Sequence, residues 1–459
     1  MRASEPGLRP AAERRSLRRP ALPPVPLRGY RLERLFEMLF GASFALTEGA
    51  FVGVVADKLF HVHPAVIALV TAAPMFGNLS SSFWARLAHG RRRVPWTTGL
   101  LSAFAACVAA VALIPENAIG AAALVALQVA ARLVLGGIIS LRSIVWSLNY
   151  PREARGRMLA RLQIVSVLSL AGASWVGAQV LNADPHSFRI VYAAGAALGA
   201  AGVFVFSRVP LLGESDHLAQ EQAAAESGAH AEGMWALLRA DPLYASFLGW
   251  QMLSGISNMM VEAPVIYLVS HEMGASYAES ISVTTVIPLL LSIATTPFWA
   301  VYLDRVHVSA FRAAHAWSFS LSQLLLWAGA ATHSLGVLLV ARMVLGAARA
   351  GGGLAWNLGH NDFAPPDRVG LYMGAHVTLT GLRGAVAPFL GMALYLGWAA
   401  STLPVLGVTL PGWDGLGDGL MPLAALMSGV SALGFRRLQK RIEALQAQAS
   451  GSDPSSRGV

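Results

Sequence analysis

The sequence is poor in charge, in lysine and in cysteine. Only 13% of its 459 residues are Asp, Glu, Lys or Arg, against roughly 25% in a soluble chain, which argues against a water-solvated globule. Cys107 is the one cysteine, so no disulfide framework can form; set in an apolar run, it reads as a small packed side chain. Of the 34 basic residues only Lys58 and Lys440 are lysines. Period-2 alternation over ten-residue segments is missing, which argues against a membrane β-barrel. No G-x-x-x-x-G-K-S/T loop is present to cradle ATP phosphates. His61 and His63 stand two residues apart without Cys, Asp or further His ligands nearby, so no metal site is expected. Enzyme chemistry and a bound cofactor find no support.

What the chain has is apolar length. Hydrophobic residues make up 55% of it, and runs of about 20 residues, each long enough to cross roughly 30 Å of hydrocarbon, recur almost throughout. The runs predict twelve spans, near 35–56, 64–88, 95–114, 120–148, 159–181, 189–208, 243–270, 278–302, 311–331, 335–359, 370–397 and 419–434. The fold class is therefore an all-α polytopic membrane protein. Residues 1–34 form a basic, Pro-containing tail; 35–208 hold six spans; 209–241 are an acidic, Ala-rich linker, partly helical; 242–434 hold six more. The end, 435–459, begins with apolar residues 3, 4 and 3 apart and reads as a basic amphipathic helix on the membrane surface, then a polar tail.

The net charge of +9 invites a nucleic-acid partner, but its distribution argues against one. Basic residues crowd the tails, the linker and the loops after even-numbered spans, whereas the opposite loops hold only Lys58 and Arg189. Under the positive-inside rule both termini are cytoplasmic, in the inner membrane of a bacterium.

The chain also repeats itself. Val129-Ala130-Ala131-Arg132-Leu133-Val134-Leu135-Gly136 matches Leu339-Val340-Ala341-Arg342-Met343-Val344-Leu345-Gly346, and Trp146 and Trp356 each follow fourteen residues after the arginine. Glu48, Thr71 and Pro74 correspond to Glu262, Thr285 and Pro288 at one spacing, 262 − 48 = 214. The protein is expected to be two six-span bundles joined by the linker.

Two six-span halves, a cytoplasmic linker and basic loops after spans 2 and 8 resemble the major facilitator superfamily over residues 30–435. That family's signature loop reads G-x-x-x-D-R-x-G-R-R. Gly90-Arg91-Arg92 keeps its end without the aspartate, and Asp304-Arg305 keeps its middle without the final glycine and arginines. Arg91, Arg92, Asp304 and Arg305 are the expected gating-loop residues, with a charge lock weakened or shared differently. Arg132-x-x-x-Gly136 is similar to the family's arginine motif on span 4, and Gly384–Gly391 looks like its glycine-proline motif, here on span 11.

The resemblance implies that spans 1, 4, 7 and 10 line a central cavity. Glu48, Arg132, Glu262 and Arg342 fall on those four spans as two repeat-related pairs. Burial makes a carboxylate hold its proton and a nearby guanidinium loosens it, so such a group can change protonation as the cavity changes sides. Glu48 and Glu262 are expected to bind a proton or a cationic substrate group, with Arg132 and Arg342 as counter-charges; static ion pairs are the alternative. Gln251, Asn258 and His376 could contact substrate or bond between helices. Arg349 and Arg383 could line the path or snorkel, Trp146 and Trp356 are expected as interfacial anchors, and Glu37 as solvated. The expected function is a monomeric secondary transporter of a small molecule, coupled to protons. A uniporter and a non-transporting sensor on the same fold are the alternatives.

Overall fold

The computed structural model describes residues 27–226, 233–365, 368–403 and 408–451; positions 1–26 of the basic tail and 452–459 lie outside the described residues. Twelve spans are present among the described residues. The first half comprises span 1 (Leu27–Ala45 and Gly49–Lys58), span 2 (Pro64–Leu87), span 3 (Arg93–Val111), span 4 (Ala118–Asn149), span 5 (Arg152–Ala183) and span 6 (Phe188–Phe206). The second comprises span 7 (Pro242–Met260, Glu262–Tyr267 and a π-helical turn Leu268–Glu272) and span 8 (Tyr277–Ile281, a π-helical turn Ser282–Val286 and Ile287–Leu303). Span 9 (Val308–Ala331), span 10 (Leu335–Leu358), span 11 (Val369–Leu396) and span 12 (Leu420–Gly451) complete it.

Eleven of these have the length and apolar content to cross a membrane. Span 9 is the exception because it carries Arg312, His315 and Gln323, all of them buried. Its polar side chains are turned into the protein, where partners lower the cost of leaving water. With twelve crossings, Leu27 and Gly451 emerge on one side, the tail side; the other is the far side.

The two halves are built alike. Span 1 packs on 5 and 6, span 2 on 4, and span 3 on 4 and 6; adding six to each number gives the packing of the second half. The repeated glycines explain part of this. A Cβ at Gly136 would collide with the carbonyl of Gly77 on span 2, and one at Gly346 with the carbonyl of Pro288 on span 8. Each glycine thus lets two backbones approach, as small residues do between membrane helices. Trp84 and Trp299, also repeat-related, donate from Nε1 to the carbonyls of Leu133 and Ala347, at 2.8 and 2.7 Å.

The halves meet along spans 2 and 11, spans 5 and 8, and the far-side parts of spans 1 and 7. Polar contacts join them at the far side. Ser270 Oγ donates to Asp57 Oδ2 at 2.6 Å, Lys58 Nζ donates to the Ser270 carbonyl at 3.3 Å, and His271 Nδ1 lies 3.3 Å from Asp57.

Three expectations need correction. Span 1 begins at Leu27 rather than near 35, with Glu33 and Glu37 both buried inside it. Spans 1 and 7 are interrupted, at Leu46–Glu48 and at Val261. Span 12 runs unbroken through Gly451, so Phe435–Leu445 is not a separate surface helix. Phe435, Leu438 and Ile442 are buried in one cluster with Tyr244 and Phe247 of span 7; their 3-4 spacing serves helix packing instead of lipid. The Gly/Pro-rich loop before span 12 carries a hairpin, β1 (Ser401–Leu403) antiparallel to β2 (Val408–Leu410), extended by a Trp398–Trp413 bridge.

Candidate functional site

Both span interruptions sit at the predicted glutamates. Beyond Ala45 the chain leaves the helix for three residues, and Glu48 is extended, with φ −66° and ψ 131°. The Thr47 carbonyl, freed by that break, accepts from Gln128 Nε2 at 2.6 Å and from Arg132 Nε at 2.8 Å; Arg132 Nη2 bonds it as well. The same Nη2 reaches Glu48 Oε2 at 3.1 Å. Arg132 therefore stabilises the break and the carboxylate together.

The second half repeats the device with different backbone. Arg342 donates from Nε to the Val283 carbonyl at 3.2 Å and from Nη2 to that of Thr284 at 2.9 Å, both in the π-helical turn of span 8. Its Nη2 lies 3.2 Å from Glu262 Oε2, and Arg349 Nη2 lies 2.7 Å from Glu262 Oε1. Glu262 thus has two guanidinium partners where Glu48 has one.

A cavity of about 290 Å³ lies between the halves and is lined by Glu48 and Glu262, by Arg349, and by Thr71 and Thr285. Met75, Met259, Ile266 and Leu289 give the rest of its wall an apolar character. Arg132 and Arg342 stand behind the carboxylates, only 3% and 0% exposed. On the tail side of the cavity, Ile139, Ser143 and Ser147 of span 4 and Arg349, Gly353 and Asn357 of span 10 are exposed at helical spacing. These are the matching stripes of the repeat.

Residues 37–264 match the Major Facilitator Superfamily. Solved transporters share the whole architecture. A D-xylose–proton symporter aligns with a TM-score of 0.66 at 16% identity, covering 89% of this chain and 97% of that one. The chain belongs to the major facilitator superfamily. A nucleoside transporter (TM-score 0.65, 14% identity, 90% of this chain and 99% of that one) and an inward-open xylose transporter from E. coli (0.61, 12%, 89% and 95%) are similarly alike in fold. No curated protein matches the chain.

The superfamily's signature loop lacks its aspartate here, and the linker brings carboxylates to it. Glu214 of the linker helix Glu214–Glu226 pairs with Arg92 Nε at 3.3 Å and accepts from the Arg93 backbone N–H at 2.6 Å. Glu221 accepts from the Gly90 N–H at 3.1 Å and pairs with the buried Arg93. Arg91 lies over the Trp96 ring. In the corresponding loop of the second half, Asp304 and Arg305 close span 8 and are exposed.

The remaining predicted residues of this superfamily member are not among those lining the cavity. Gln251 is buried, its carbonyl taken by Arg383 Nη1 at 2.5 Å. Asn258 accepts from Gln323 at 3.1 Å in a network with Ser257 and Ser428 that ties spans 7, 9 and 12 together. His376 is buried with its ring 5.4 Å from that of Trp356. Trp146 and Trp356 turn inward rather than to the interface: Trp146 Nε1 donates to Glu33 Oε2 at 2.6 Å, and Trp356 Nε1 to Thr380 Oγ1 at 3.3 Å. Arg142 was overlooked by sequence reasoning. It pairs with Glu37 and lies 3.8 Å from Glu33, and Tyr150 donates to Glu33 at 2.8 Å. The signal was an arginine, Arg142, ten residues along span 4 from Arg132, still within reach of span 1.

Proposed function

We propose that this transporter is a secondary active carrier that moves a small molecule by alternating access and couples the movement to protons through Glu48 and Glu262. The observation that carries the reading is that two repeat-related carboxylates, each beside a guanidinium, line one cavity between the halves. In that setting each acid lies in a cavity that an alternating-access carrier opens first to one side and then to the other. The arginines are bonded to main-chain carbonyls, so they hold position whatever the acids do. One chain completes the cavity, which fits a monomer. The arginine-rich linker-side loops support a cytoplasmic tail side, and the cell's inner membrane is the proposed location. That the fold is shared by a proton symporter of D-xylose agrees with coupling.

The test is flux in proteoliposomes across a substrate panel, with and without an imposed pH gradient. Gradient-driven flux that disappears in Glu48→Gln and Glu262→Gln is expected. Flux that ignores the gradient, and that both variants retain, would leave a uniporter with structural ion pairs. Binding with no flux of any compound would make the protein a sensor on the same fold.

A further inference from the structure

The halves match closely, but not at Arg349, which lines the cavity. Seven residues beyond each repeat arginine, two helical turns along the same face, the first half has Ile139 and the second has Arg349 (132 + 7 and 342 + 7). Both are exposed, Ile139 to 53% and the Arg349 side chain to 41%. Arg132 and Arg342 are sealed behind the carboxylates and committed to backbone carbonyls. Arg349 is therefore the guanidinium that a solute in the cavity meets. The site counts three guanidiniums, Arg132, Arg342 and Arg349, against two carboxylates, a surplus of one positive charge. The second half adds to it. Arg312 and Arg383 bond the carbonyls of Gly352 and Gln251, and among the described residues neither has a carboxylate partner.

We propose that the cavity takes a small organic oxyanion, a carboxylate or a phosphate ester, gripped by Arg349 in place of Glu262 Oε1. This rests on the transporter reading above. Arginine's planar fork suits both groups, and the apolar wall of Met75, Met259, Ile266 and Leu289 suits a hydrocarbon body. The exchange also ties the anion to a proton. Glu262 is faced by Arg342 and Arg349 from span 10 and by Glu48 across the cavity; spans 2, 8 and 11 present Thr71, Thr284, Thr285, Gly384 and Pro388 there, none of them titratable. When the anion takes Arg349, Glu262 trades a guanidinium for a negative neighbour, which favours its protonated form. The proton is drawn from the bulk solution on the side to which the cavity is open, and rests on the Glu262 carboxylate. No covalent bond changes, and a monoanion with one proton moves no net charge.

The test uses the purified full chain in detergent. Thermal shift is read for benzoate, hexanoate, phenyl phosphate and glycerol 3-phosphate, each against its neutral amide or alcohol and against benzylamine and hexylamine. Proton uptake is followed with an indicator dye in weak buffer. At least one anion should stabilise the protein and its neutral counterpart should not, which also separates carboxylate from phosphate. Arg349→Gln should weaken that anion at least tenfold, and Arg349→Lys less. Glu262→Gln should still bind it but take up no proton. Stabilisation by amines instead, by no anion of the series, or by anions equally in Arg349→Gln overturns the proposal. Gradient-driven flux that survives Arg349→Gln but not Glu48→Gln would refute the anion and keep the transporter. Arg349-dependent anion binding with no flux would do the reverse.

Discussion

Replacing Asp57 with alanine is predicted to unseat the far-side closure. The Asp57 carboxylate is 4% exposed and receives the Ser270 hydroxyl at 2.6 Å, with His271 3.3 Å away. A hydrogen bond to a charged group contributes about 1.5–3 kcal/mol. At about 1.4 kcal/mol per decade, its loss shifts the balance between far-side-closed and far-side-open states by roughly 10- to 100-fold. The chain's single cysteine makes the measurement clean. In a Cys107→Ser background, spin labels at Leu113→Cys and Thr332→Cys would report the separation of the far ends of spans 3 and 9, both exposed. Electron-electron resonance should show one dominant short distance in the parent and a second, longer population in Asp57→Ala. Asp57→Asn keeps an acceptor for Ser270 and should fall between. An Asp57→Ala distribution identical to the parent's would refute the claim that this contact holds the two halves together.

Other perturbations follow from the same geometry. Arg142→Met leaves Glu33 and Glu37 buried without their cation, and breaking such a pair costs about 3–5 kcal/mol; a large fall in the thermal midpoint in detergent is expected, and Tyr150→Phe should cost clearly less. Gly346→Ala forces a Cβ into the Pro288 carbonyl, whereas nothing lies within 4 Å of a Cβ at Gly374, so folded yield should drop for the first and hold for Gly374→Ala. His307 caps span 9, its Nδ1 accepting from the Ser309 N–H at 3.1 Å. Burial pushes its imidazole below the ordinary 6.5, with Asp362 partly opposing. The folded protein then binds fewer protons than the unfolded chain, so this contribution is whole above about pH 6.5 and is lost as pH falls through the folded value. The thermal midpoint should decline from pH 7.5 to 5.5 more in the parent than in His307→Asn.

The repeat made most of the architecture legible before any coordinates. A match of eight residues around Arg132 and Arg342 located spans 4 and 10, and the constant spacing from Glu48 to Glu262 paired spans 1 and 7. The breaks at those glutamates were not legible. Phe44–Phe51 contains no proline, and it is Gln128 and Arg132 of span 4, bonding the Thr47 carbonyl, that stabilise an unwound turn there. The start of span 1 at Leu27 was not legible either, because Glu33 and Glu37 look like surface charges until Arg142 stands beside them. The length of span 12 is hidden for a related reason: the basic residues at 436–441 suggest a membrane surface, while Phe435, Leu438 and Ile442 are taken up by span 7. In each case a long-range partner overrode a local signal.

The pairing of Ile139 with Arg349 has a consequence for how such a protein can change. Because both halves share one framework, the first half carries the same glutamate, threonine and proline as the second, Glu48, Thr71 and Pro74, but has an isoleucine where the second has Arg349. Replacing Arg349 with isoleucine would take a cation from the cavity wall and one of its two guanidinium partners from Glu262, with both breaks left as they are. A duplicated carrier of this build could therefore acquire a new preference for its cargo through one or two codons, with the scaffold left as it was.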